Sequence, residues 1–150
     1  MPTYVYHILI PVLCAMAMNG FYYRNNKETP SDIDLLYLPP GYIIGIIWTI
    51  LFALLGYVHF LLYRLNNKSN YASVSVVFFI LFSLAYPVVQ AIDEYYAYLF
   101  NVLALIVSFV VGLLVISTSK SIFLYMIPLL GWVSYVNVVV LYNILQTVQE

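Results

Sequence analysis

The sequence predicts an all-α fold: a polytopic membrane protein whose single domain is a bundle of five transmembrane helices. Three observations predict it. All eleven charged side chains lie outside five long apolar stretches, over residues 4–23, 42–63, 72–91, 96–117 and 122–145. Each stretch has about the 20 residues that a helix needs to cross a hydrocarbon layer of ~30 Å. The composition is 65% hydrophobic and 7% charged, with a mean hydropathy of +0.98, whereas roughly 25% of residues are charged in an ordinary soluble domain. Finally, most connections are too short for anything but antiparallel neighbours, so one tight bundle is the simplest arrangement.

The first stretch contains Ala15-Met16-Ala17, which has the small-x-small form of a signal-peptide cleavage site. No basic segment precedes it, and the apolar run continues through Phe21-Tyr22-Tyr23, so a membrane span is expected instead. Its cysteine, Cys14, is the only one in the chain and has no disulfide partner. The longest connection, residues 24–38, mixes charge with Pro30 and has the length of a lid or binding loop. It leads into Pro39-Pro40-Gly41, an extended entry to the second stretch.

The remaining connections, residues 66–70, 92–95 and 118–121, are short turns. Arg64, Lys68 and Lys120 lie on one face of the membrane and Arg24 and Lys27 on the other, a narrow margin that places the N-terminus in the cytoplasm. No internal repeat is visible, and an odd number of spans argues against two inverted halves. A net charge of −1 without a basic cluster excludes nucleic acid as a partner.

In lipid, small and polar residues mark the helix faces that pack on protein or line a cavity. Three stripes have helical spacing: Gly41, Gly45, Trp48, Phe52, Gly56 and His59; Phe79, Ser83, Tyr86 and Gln90; and Ala97, Asn101, Ala104, Ser108 and Gly112. Measured from the side of the long loop at 1.5 Å per residue, Trp48 and Tyr86 lie at roughly 9 Å and Asn101 and Asn19 at about 8 Å, with Trp132 near mid-membrane. Aromatic and polar groups from five helices therefore gather in the loop-side half, where a mostly apolar cavity would suit a small molecule. His59, at about 25 Å, belongs to the opposite end, and a local hydrogen bond or interfacial anchoring suits it and His7 better than ligation. No catalytic residue and no metal site can be composed from these spans.

The run from Pro39 to Phe52, Pro-Pro-Gly-Tyr-Ile-Ile-Gly-Ile-Ile-Trp-Thr-Ile-Leu-Phe, resembles the start of the second span in the translocator protein family, also called tryptophan-rich sensory proteins or peripheral benzodiazepine receptors. Pro128-Leu129-Leu130-Gly131-Trp132-Val133-Ser134-Tyr135 is similar to that family's Pro-Tyr-Leu-x-Trp segment in span 5, and Tyr86-Pro87 stands where the family has Trp-Pro. Both tryptophans of the chain fall on these motifs.

The resemblance implies that Trp48 and Trp132 line a pocket for porphyrins and synthetic ligands. Tyr37, Tyr42 and Tyr86 stand where tryptophan is usual, Ser83 where asparagine is usual, and Asn101 near the usual acidic position. Gly45, Phe52 and Tyr135 complete the expected ligand-binding set. The family's Lys-Pro pair in the first loop is replaced by Asp34-Leu35. The basic residue of the proposed cholesterol motif is missing after Tyr142, which removes the support for a sterol at that place.

The expected function is a membrane receptor or carrier for flat hydrophobic ligands, porphyrins or other tetrapyrroles first and sterols second. It requires no cofactor, with porphyrin or haem as ligand. Two alternatives are a light-dependent porphyrin-degrading enzyme using the two tryptophans and a non-catalytic membrane interaction protein. The family's dimers further suggest a homodimer, for which Ala15 with Asn19 is the best small-residue pair.

Overall fold

The computed structural model describes residues 3–25, 37–65 and 70–147, and no strand occurs among them. The first helix, α1, is Thr3–Asn25 and continues through Pro11. The second, α2, is Gly41–Arg64, entered from Pro40, whose extended backbone (φ −51°, ψ 146°) leaves its carbonyl to accept from Ile43 N–H at 2.8 Å. Proline is suited to that place because the first N–H groups of a helix have no partner within it. Most of the long loop, including Pro30, Asp34 and Leu35, lies outside the described residues.

The third apolar stretch, expected as one span over residues 72–91, is broken. It forms α3, Asn70–Leu84, and α4, Tyr86–Ile92, separated at Ala85. The cause is Pro87, which has no N–H for the Ser83 carbonyl and whose ring collides with it in a regular helix. The chain turns at Asp93 into α5, Glu94–Thr118, where the Asp93 carboxylate accepts from Tyr95 N–H at 2.7 Å. A carboxylate here also meets the positive end of the helix dipole.

Ser119 caps the next short helix, α6, Lys120–Phe123, by accepting from Ile122 N–H. The stretch expected as a single span over residues 122–145 is also interrupted: a 3-10 turn, Leu124–Met126, precedes the final helix α7, Ile127–Thr147. Pro128 accounts for this break as Pro87 does for the first, since the carbonyl it leaves unpaired belongs to Leu124.

Four segments are long and apolar enough to cross a membrane, namely Gly41–Arg64, Tyr71–Ile92, Tyr95–Thr118 and Lys120–Gln146, and Tyr4–Gly20 is a shorter apolar helix. They pack with α1 on α2, α2 on α3, α3 on α5 and α5 on α7, while α2 also meets α6 and the 3-10 turn.

The bundle is closed at one end and loose at the other. Its fully buried side chains include Leu55, Val58 and Leu62 of α2, Val76 and Phe79 of α3, Val111 and Val115 of α5, and Met126 of the 3-10 turn. All belong to the half away from the long loop. On the loop side, residues 41–50 of α2 and all of α4 contain no buried residue, and the buried residues of the other helices there are small: Ala15, Ser83, Ala97, Ala104, Val139 and Val140.

The closed end is made by a close helix crossing. At Gly56 the α1 backbone passes so near that a Cβ would overlap the His7 carbonyl oxygen and lie 2.9 Å from Ile8 Cα. Gly45 and Gly56 of α2 thus face α1. The same contact engages the residues expected to mediate self-association: Ala15 is buried in the core, and Asn19 donates to the Gly45 carbonyl at 3.2 Å. That small-residue pair is corrected to an internal packing element.

A groove between α2 and α7

The expected ligand-binding residues fall into three places. Phe52 is buried in the core, and the half-buried Trp48 packs on it edge-to-face at 5.9 Å. Gly45 looks toward α1, its carbonyl also accepting from the Thr49 hydroxyl at 2.9 Å.

A second group joins α3, α4 and α5. Ser83 ends the buried face of α3, in the last turn before the proline break. Beyond the proline break, the Tyr86 ring is tilted on Phe100 at 5.9 Å, and Phe100 stacks in parallel on Phe82 at 4.3 Å. The Asn101 carbonyl accepts from the Asn137 amide at 3.1 Å, which ties α5 to α7.

The third group surrounds an open groove of about 400 Å³. Its walls are Ile47, Ile50, Leu51 and Leu54 from α2 and Pro128, Gly131, Trp132 and Tyr135 from α7. Each wall is a stripe at i, i+3, i+4, i+7, the spacing of one helix face. Of the expected residues only Trp132 and Tyr135 line it; Trp48 lies on a neighbouring face of α2. The aliphatic wall of α2 was not singled out from sequence, because isoleucine and leucine at helical spacing occur on every face of such a span. The α7 stripe carried a readable signal in its glycine and two aromatics.

Both ends of the groove are bounded. At the loop side the Tyr135 hydroxyl donates to the Tyr37 carbonyl, and the Tyr37 ring meets Tyr142 edge-on at 5.9 Å. Tyr37 has φ 75°, a left-handed conformation uncommon for a bulky residue, and these contacts hold it there. At the far side the 3-10 turn closes on α2, with Tyr57 and Tyr125 edge-to-face at 5.2 Å. Tyr42 remains largely exposed at the start of α2.

Two buried polar atoms among the described residues have no hydrogen-bond partner: Ser83 Oγ and Trp132 Nε1. Several other polar side chains within the apolar helices show the usual solution. Ser75, Ser108 and Thr118 bond back to carbonyls of their own helices at 2.7–2.9 Å, as Asn143 does at 2.8 Å. An orphaned buried group costs about 1–3 kcal/mol. Both orphans lie among the residues expected to bind ligand. No group of three or more potential metal ligands occurs among the described residues.

An all-helical bundle with four membrane-length apolar helices, a shorter fifth and an apolar groove defines a multi-pass integral membrane protein. More particularly, the model of the TspO/MBR family matches residues 7–145, and the chain belongs to that family, the translocator proteins. No curated protein and no solved structure matches the chain. Family membership supports a membrane protein that binds or transports a ligand.

Proposed function

We propose that the chain is a single domain of five transmembrane helices that binds flat hydrophobic molecules, porphyrins above all, in the loose loop-side half of its bundle. The observation that carries this reading is the pair of unpartnered buried atoms, Ser83 Oγ and Trp132 Nε1. An indole N–H only donates, whereas a hydroxyl donates and accepts. Their complement is a molecule with an extended apolar body and hydrogen-bonding groups at its edge, a description that a porphyrin with its carboxylates meets.

The surrounding aromatics suit the same ligand. Tyr86 and Trp132 offer flat walls with a polar tip, and an aromatic stacked on a macrocycle contributes about 0.5–1.5 kcal/mol beyond burial. Phe100 and Phe82 extend the Tyr86 wall by stacking in parallel at 4.3 Å, and Trp48 packs against the same core as Trp132. Sterols remain the second ligand class, without the basic residue that would support one near Tyr142.

The test is a titration of the purified protein in lipid nanodiscs with protoporphyrin IX and, separately, cholesterol. Saturable quenching of tryptophan fluorescence by the porphyrin, reduced by Ser83→Ala and by Trp132→Phe, is expected. Absence of saturable binding, or binding indifferent to both substitutions, removes the reading.

A further inference from the structure

Counted from Gly41 at 1.5 Å per residue, the α2 wall of the groove runs from about 9 to 20 Å below the loop-side end of the helix. Its mouth therefore opens into the hydrocarbon layer. Ile50 and Tyr135 on its walls are 56% and 42% exposed, so the opening faces sideways. The loop-side end is closed by the Tyr135 to Tyr37 hydrogen bond, leaving the lateral opening free.

Trp132 stands between this opening and the interior. It lines the groove and packs on the buried core, yet its Nε1 is enclosed and unpartnered. Beside it, a Cβ on Gly131 would meet nothing within 4 Å apart from its chain neighbours, so the groove is open at this turn of α7.

We propose, resting on the ligand-binding reading above, that the ligand enters from the bilayer between α2 and α7, with Trp132 as the gate. The occupant of the groove is a flat lipophilic molecule already dissolved in the membrane and bearing a hydrogen-bond acceptor. Displacement of Trp132 by such a molecule exposes the indole N–H to the acceptor, so entry supplies the partner that the closed bundle lacks. An acyl chain has no acceptor for that donor, and thus fills the groove without opening the gate.

The experiment places phenylalanine in the groove. Gly131→Phe adds a ring where there is open space, and should slow both association and release of protoporphyrin IX in phosphatidylcholine nanodiscs about tenfold. A second measurement uses brominated phosphatidylcholine as a quencher in ligand-free protein. It should quench Trp132 in a Trp48→Phe variant more strongly than Trp48 in a Trp132→Phe variant. Porphyrin binding with unchanged rates in Gly131→Phe overturns the route and leaves the ligand-binding reading standing. If the parent binds no porphyrin, that reading fails, and the bromolipid comparison alone decides the groove. Equal or reversed quenching, as when a second copy of the chain covers the groove, overturns the lateral opening.

Discussion

His7 Nδ1 and His59 Nδ1 lie 2.8 Å apart, one hydrogen bond joining α1 to α2 across 52 residues of sequence. The rings are 4.8 Å apart, with Tyr63 and Phe60 packed on His7 at 5.4 and 5.7 Å. One turn away, Gly56 brings the two backbones into contact. Together these features make the closed end of the bundle, against which the loose end holds its groove.

Only one of the two facing nitrogens can carry the bridging proton, and two imidazolium rings cannot form the bond at all. A double-mutant cycle with His7→Ala and His59→Ala should give a coupling of about 0.6 kcal/mol, typical of interhelical hydrogen bonds in a membrane. Porphyrin affinity should be insensitive to either substitution, because the pair sits at the other end from the groove.

Gly56→Leu should be among the most damaging single changes. Its side chain must displace the α1 backbone at His7 and Ile8, and overpacking of this kind costs about 1–3 kcal/mol or more. Thermal unfolding in detergent should show a lowered midpoint, whereas Gly131→Ala, with open space around its Cβ, should unfold like the parent.

Ser83→Ala and Trp132→Phe should separate stability from binding. Each removes a buried polar atom that has no partner, so thermal stability should be maintained or raised in Ser83→Ala, whereas Trp132→Phe also gives up packing on the core and should be modestly less stable. Porphyrin affinity should fall several-fold in both, since the lost group is the one the ligand satisfies. A variant that loses stability and keeps affinity would show that its polar atom serves the fold.

Tyr135→Phe keeps the ring against Trp132 at 5.7 Å and removes only the hydroxyl that holds the Tyr37 carbonyl. Tyr37 then loses one of the contacts that maintain its left-handed backbone. Amide hydrogen exchange should accelerate around Tyr37 and Leu38 and stay unchanged around Leu55 and Val58. Uniform acceleration in all four would show that the bond supports the whole bundle.

The membrane segments were legible because charge is excluded from hydrocarbon: a run without Asp, Glu, Lys or Arg that is about 20 residues long has few other uses. That rule located α2 and α5 to within about two residues at each end. Pro11, Pro87 and Pro128 all occur in these stretches, yet α1 continues through the first while the chain breaks before the other two. A proline removes a hydrogen bond in every case, but its presence in the sequence does not by itself tell whether the helix continues or ends.

Helical periodicity likewise reveals that Gly45, Trp48, Gly56 and His59 share a face, without naming what lies opposite. Tertiary structure decided that the glycines receive α1, that His59 meets His7, and that Trp132 borders the groove while Trp48 packs on Phe52. The physical reason is range. Solvation and helix period act along the chain and are written locally, whereas the groove exists because α2 and α7, some eighty residues apart in the chain, approach at the 3-10 turn and leave open space between Leu54 and Trp132.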